Sequence, residues 1–141
     1  MKTLREIMRE GFLFTVQRNA TVATACRTMA ENNVGIVAVL DGDRLVGVFS
    51  ERDVVRRIVD RGLDPGHTRV ADVMTTGLIV ADAEEDYQSA MRKMDQANIR
   101  HLPVVSGERL LSMLSIRDLM RVAIEDRGQE IEVLKEYLYR T

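Results

Sequence analysis

Residues 47–54 are restated at 112–119, and the same offset of 65 positions holds far beyond them. Gly47-Val48-Phe49-Ser50-Glu51-Arg52-Asp53-Val54 is answered by Ser112-Met113-Leu114-Ser115-Ile116-Arg117-Asp118-Leu119. Run without a gap from Thr15 to Ile58, the offset also matches Ala25 with Ala90, Met29 with Met94 and Asn33 with Asn98. It continues through Gly42 and Gly107, Leu45 and Leu110, and Arg56 and Arg121. Such self-similarity implies two copies of one folding unit. Each copy, at ~55–60 residues, buries too small a fraction of its surface to be stable alone. The two are therefore expected to share a core.

Read in order, each copy runs strand, helix, strand, strand, helix. Thr3-x-x-Glu6 has the form of a capping box opening a short helix. Phe12 to Val16 is β-prone, and Thr21 caps a helix whose Val22, Ala25, Cys26, Met29 and Ala30 share one face. Asn32-Asn33 ends that helix. Val34 to Leu40 and Leu45 to Phe49 flank Asp41-Gly42-Asp43, a hairpin signature. Ser50 caps a helix through Val54, Val55, Ile58 and Val59 that ends near Gly62. Leu63-Asp64-Pro65-Gly66 reads as the linker. In the second copy Thr68 opens a short helix to Met74, and Leu78 to Ala81 is a strand. Asp82-x-x-Glu85 caps the helix carrying Ala90, Met91, Met94 and Ala97. His101 to Val105 and Leu110 to Leu114 form a hairpin around Ser106-Gly107, and Ile116 to Ile124 closes the copy. After Gly128, Ile131, Leu134 and Leu138, with Val133 and Tyr137 beside them, make an amphipathic tail helix. The domain reading is repeat 1 at 4–62, linker at 63–69, repeat 2 at 70–127 and tail at 128–141.

Composition excludes several classes of function. Net charge is −2, so no nucleic-acid footprint is expected. No segment approaches the ~18–20 apolar residues of a membrane span, and no membrane partner is expected. The first residues lack the apolar run of a signal peptide, and the single Cys26 suits a reducing compartment, so the expectation is cytoplasmic. Two distant histidines and one cysteine do not make a metal site. Cys26 has no nearby histidine or cationic run to activate it, His67 lies in the linker, and the methionines mostly fall on apolar faces where they fill core.

The echoed Ser50-x-x-Asp53 and Ser115-x-x-Asp118 admit two readings. Serine at the N-cap with an acid three residues on resembles a capping box, which needs no ligand. The same corner, a helix start after a strand, also suits a polar ligand. A carboxylate there can accept both hydroxyls of a ribose, and Arg52 and Arg117 offer phosphate partners.

At this point the chain resembles a tandem pair of CBS domains, the family named after cystathionine β-synthase. The resemblance rests on the β-α-β-β-α order and on the Gly-h-h-Ser-x-x-Asp motif at Gly47 to Asp53, where h is apolar. Asn98-Ile99-Arg100-His101-Leu102-Pro103-Val104-Val105 and Asp72-Val73-Met74-Thr75 also carry it. It implies an α/β fold in which two repeats pair through their sheets about a pseudo-two-fold axis, with the tail helix added. It implies two clefts, each taking an adenine nucleotide with the aspartate on the ribose. One would combine Ser50 and Asp53 with Ile79, Val80, Arg100, His101, Leu102, Pro103 and Arg117. The other would combine Ser115 and Asp118 with Thr15, Gly35, Ile36, Val37 and Arg52. The first has more cationic groups; Gly35-Ile36 replaces Arg100-His101 in the second, and Ser112 replaces the motif's glycine.

The function this implies is a stand-alone regulatory module binding AMP, or else ADP, ATP, NAD or S-adenosylmethionine, without a required cofactor. It would signal metabolite state to an unknown partner protein in trans and form a homodimer through its helices. A scaffold with empty clefts and an enzyme acting on the nucleotide are the other readings. No activated nucleophile or P-loop is visible, so no enzymatic activity is expected.

Overall fold

Asn33 and Asn98 are in the same left-handed conformation, with φ of 54° and 55°, each at the C-terminal end of a helix. An asparagine tolerates this conformation better than other residues with a Cβ, so it can stop a helix as glycine does. The structure, a computed structural model, describes residues 2–126 and 130–140, without the side chains of Glu10 and residues 130–133. Its first elements are α1 (Leu4–Ile7), β1 (Thr15–Gln17), α2 (Val22–Asn32), β2 (Ile36–Asp41), β3 (Arg44–Ser50) and α3 (Glu51–Asp53). A π-helical turn, Val54–Val59, continues α3. There follow β4 (Ala81–Asp82), α4 (Tyr87–Ala97), β5 (His101–Ser106), β6 (Arg109–Ser115), α5 (Ile116–Glu125) and α6 (Glu130–Tyr139). This is the α/β order expected from the echo. No helix among the described residues is long and apolar enough to cross a membrane.

Packing sorts the chain into two units that cut across the repeats. One, called here the first unit, holds Leu13–Leu78 and the hairpin tip Glu108–Leu110. In it β1 runs parallel to β2, with Val16 opposite Val39, and β2 runs antiparallel to β3. The hairpin turns at Gly42, whose φ of 64° at the first of two turn residues suits a type II′ turn. Val16, Val22, Ala25, Met29, Val37, Val39, Phe49 and Ile58 form the core. The segment after the linker docks here: Val70 N–H donates to Ala20 O, and Thr75 exchanges both backbone hydrogen bonds with Val48 at 2.9 and 3.0 Å.

The second unit takes the segment up to Phe12, Ile79–Gly107 and the chain from Leu111. There β4 runs parallel to β5, with Ala81 opposite Val104, the offset image of Val16 opposite Val39. Tyr87, Met91, Met94, Leu102, Leu114 and Leu119 fill its core together with Leu4 and Ile7. Phe12 exchanges backbone hydrogen bonds with Met113 at 3.0 and 2.8 Å, as Thr75 does with Val48.

Several expectations are corrected. Thr3 precedes α1 but makes no side-chain cap: the Glu6 amide it would serve donates to Thr3 O, and the amides of Leu4 and Arg5 donate to Glu85 O and Ala83 O. Asp82 does not cap α4: the helix starts five residues later, capped by Asp86, whose carboxylate accepts from Ser89 N–H at 2.8 Å. Asp82 and Glu85 instead fold the turn that receives α1. The first strand begins at Thr15 rather than Phe12, which is spent on Met113, and β4 begins at Ala81 rather than Leu78. The expected short helix from Thr68 to Met74 reduces to a single 3₁₀ turn at Val70–Asp72.

The tail docks on its own unit through Tyr137, whose hydroxyl donates to Met91 O, and Arg140, which pairs with Asp95. Burial, then the Asp95 charge, push the Tyr137 hydroxyl up to about 12, so it remains a donor. Leu138 is exposed. Gly128 and the side chains of Ile131 and Val133 lie outside the described residues.

The motif glycine has a packing reason. A Cβ on Gly47 would stand 2.5 Å from Met74 Sδ and 2.9 Å from Thr75 O. In the second unit Ser112 takes the glycine's place, and the space is provided by the incoming segment, since Gly11 faces Met113 O and Ser112 Oγ. The Ser112 hydroxyl then donates to Met8 O at 2.9 Å. Gly47→Ala is therefore expected to cost ~1–3 kcal/mol of stability through overpacking. Ser112→Ala should cost only its hydrogen bond, ~0.5–1.5 kcal/mol. Chemical denaturation of the two variants checks the order.

Candidate functional site

Both strand-to-helix corners carry the reciprocal hydrogen bonds of a capping box. Asp53 N–H donates to Ser50 Oγ at 3.2 Å, and Ser50 N–H donates to Asp53 Oδ2 at 3.0 Å. Asp118 N–H donates to Ser115 Oγ at 3.0 Å, and Ser115 N–H to Asp118 Oδ2 at 2.8 Å. The capping reading is thus realised in both copies. What separates the two carboxylates is the company of the other oxygen.

In the first unit Asp53 is 9% exposed. Thr75 Oγ1–H lies 3.2 Å from Asp53 Oδ1, and Arg57 Nε lies 3.6 Å from the same oxygen. Thr15 and Arg52 are exposed, Gly35 is half-buried, and Ile36 and Val37 are buried. The structure brings Gly35, Ile36 and the Ser50 corner together: Glu51 N–H donates to Gly35 O at 3.0 Å, and Ile36 pairs with Ser50.

In the second unit Asp118 Oδ1 accepts no hydrogen bond from the described residues, its nearest cation being Arg121 at 3.8 Å. Arg100 joins this corner through its carbonyl, which accepts from Ile116 N–H at 2.8 Å. Ile79, Arg100 and Arg117 are exposed, whereas Leu102 and Pro103 are buried in β5. Val80 O accepts from Lys93 Nζ at 3.0 Å. Leu102 and, in the first unit, Val37 commit their side chains to the core, so only their main chains face a ligand question. Arg52, Arg100 and Arg117 have no ion-pair partner among the described residues. Sequence reasoning named Thr75 only as part of a motif and missed Arg57; position 122 is valine where the offset image of Arg57 falls, so the echo gave no signal for it.

A cleft of about 480 Å³ also opens in the second unit, among Met94, Asp95, Ile116, Met120 and Tyr137. Of the candidate ligand-binding residues read from the sequence, Arg100 alone lines it. No group of three or more His, Cys, Asp or Glu among the described residues could hold a metal. Burial raises the Cys26 thiol, which makes it a poorer nucleophile. His67 is exposed and pairs with Asp64 at 2.6 Å.

His101 opens β5 and packs edge-on against Phe12, with ring centroids 5.9 Å apart. Burial lowers its pKa; the Asp118 charge opposes this and Arg100 reinforces it. The folded chain therefore binds this proton less readily than the unfolded chain. The contribution is complete above the ordinary value of 6.5 and is lost as pH falls through the folded midpoint. NMR titration should place His101 below 6.5, and the stability loss between about pH 7 and pH 5 should shrink in His101→Gln.

Known proteins share the two-repeat fold. The CBS domain profile matches residues 4–60 and 70–125. The chain is 34% identical over 123 residues to "CBS domain-containing protein CBSX3, mitochondrial" of Arabidopsis thaliana, covering 84% of this chain and 60% of that protein. It spans only 22% and 21% of two longer Arabidopsis CBS domain-containing proteins. A solved protein with CBS domains from Burkholderia ambifaria superposes with a TM-score of 0.80 at 31% identity, over 90% of this chain and 97% of that one. The structure of CBSX2 in complex with AMP shares the fold, with a TM-score of 0.75 at 23% identity, over 91% of this chain and 100% of that one. With two matched repeats, two equivalent Ser-x-x-Asp corners and these relatives, the chain belongs to the CBS domain family.

Proposed function

We propose that this chain is a regulatory module that binds an adenine nucleotide, AMP first among them, and reports its presence to a partner protein. No catalytic family is indicated by the matches. The observation that carries the reading is the Asp118 carboxylate. Its side chain is 13% exposed, one oxygen is used by the capping box, and the other accepts no hydrogen bond from the described residues. A nearly buried carboxylate oxygen without a donor is costly unless a hydroxyl comes to it. A ribose supplies such hydroxyls. Asp53 offers the same corner, and the exposed Arg52, Arg100 and Arg117 supply cations for phosphate. AMP is bound by CBSX2, a protein of this fold.

Calorimetry with AMP tests this on Asp53→Ala and Asp118→Ala. Loss of a charge-assisted hydrogen bond to ribose should cost ~1.5–3 kcal/mol, about 10- to 150-fold in affinity. Each variant also loses the aspartate's half of the capping box, the acceptor for the serine amide, ~0.5–2 kcal/mol of stability. Lower stability with unchanged AMP affinity in both variants would leave capping as the whole role of these aspartates.

Arg100→Ala should weaken AMP and flatten its salt dependence while adenosine binds as before, because the guanidinium meets the phosphate. Equal losses for adenosine and AMP would remove Arg100 from the phosphate contact.

A further inference from the structure

The two corners share a sequence motif but differ in what holds the carboxylate, and the difference lies in Thr75 and Arg57. Thr75 Oγ1–H points at Asp53, 3.2 Å from Oδ1 and 3.4 Å from Oδ2. Arg57 reaches the same place from below. Its Nη1 donates to Val73 O at 2.8 Å and to Met74 O at 2.9 Å, while its Nε lies 3.6 Å from Asp53 Oδ1. One guanidinium thus fastens the connector segment Val73–Thr75 to the carboxylate that the capping box orients.

The backbone is shaped for this contact. The Val54–Val59 segment is π-helical, with Asp60 N–H donating to Val55 O and Leu63 N–H to Ile58 O. π-Turns inside helices are uncommon and concentrate at functional positions. In the second unit α5 is a regular α-helix, and the offset image of Arg57 is the buried Val122. There the residue bridged to the strand is Phe12 with Met113, in place of Thr75 with Val48, and phenylalanine has no hydroxyl to offer Asp118.

We propose that Thr75 and Arg57 are positioning residues for Asp53, forming a latch that holds the connector on the carboxylate until a ligand hydroxyl displaces Thr75. The ligand half of this inference rests on the nucleotide-binding reading above. Oδ2 already accepts from Ser50 N–H and, at 3.1 Å, from Ser50 Oγ–H, so an incoming hydroxyl has to compete for Oδ1. Displacement frees Thr75 and leaves the connector tied by Arg57 and the two Thr75–Val48 backbone bonds. Occupancy of the corner would thereby be felt by the segment that follows the linker. The Asp118 corner has no such device and should bind without it.

Calorimetry with AMP and hydrogen exchange test the two halves separately. Thr75→Val removes the competing donor at nearly constant shape, so AMP should bind about fivefold tighter, the equivalent of ~1 kcal/mol. Thr75→Ser should restore wild-type affinity, and the gain should vanish in an Asp53→Ala background. In nucleotide-free protein, Arg57→Val, which copies the second unit, should speed exchange of the Thr75 and Val48 amides about tenfold while circular dichroism is retained. Equal or weaker AMP binding by Thr75→Val overturns the latch, since Thr75 would then be a bystander or a ligand contact. Unchanged exchange in Arg57→Val overturns it without reference to any ligand. If wild type binds no AMP but Arg57→Val still exchanges faster, the nucleotide reading fails and the positioning role of Arg57 stands.

Discussion

Ser50 and Asp53, and again Ser115 and Asp118, hold one another across a strand-to-helix corner, and each pair sets the direction in which its unit continues. The serine satisfies the amide three residues on while the aspartate satisfies the serine's own amide. Two otherwise orphaned donors are closed with short side chains, so the chain turns sharply without exposing backbone. The same contacts fix each carboxylate to within one rotamer. A recognition group needs that fixing, and here the cap provides it. Capping and the proposed binding are therefore compatible, because the cap orients the carboxylate that the proposal assigns to a ribose.

The repeats differ where an incoming segment lies on a hairpin strand. In the first unit the strand gives way, with Gly47 beneath Met74; in the second the segment gives way, with Gly11 against Ser112. A close approach of two backbones needs one residue without a Cβ, and either side can supply it. Ser112, which departs from the motif, is therefore no sign of decay at that corner. The real asymmetry is in polarity: Asp53 is surrounded by Thr75 and Arg57, and Asp118 by His101 and Arg121. Two carboxylates with one motif thus have different polar neighbours.

Much of this was legible without coordinates. The offset carried the order of elements, the hairpins at Gly42 and Gly107, the pairing of Asn33 with Asn98, and both Ser-Asp corners. Applied to Thr21 it also lands on Asp86, the observed cap of α4; following the local Asp82-x-x-Glu85 pattern instead gave the wrong start. At the chain's first helix a distant segment takes the amides of Leu4 and Arg5, which donate to Glu85 O and Ala83 O.

The sequence by itself determined that there are two copies of one α/β unit, where their hairpins turn, and that each opens its last helix with a serine and an aspartate three residues on. Those properties rest on residue types and short spacings, which the chain states directly. Only the tertiary structure decided that the segment up to Phe12 packs with the second unit, that the connector seats Thr75 on Asp53, and that a π-turn carries Arg57 beneath both. These contacts join residues 16 to 104 positions apart, as Arg57 is from Val73 and Ser112 from Met8. No local preference encodes such a pairing, because its free energy comes from burial and hydrogen bonds that exist only once the units have formed.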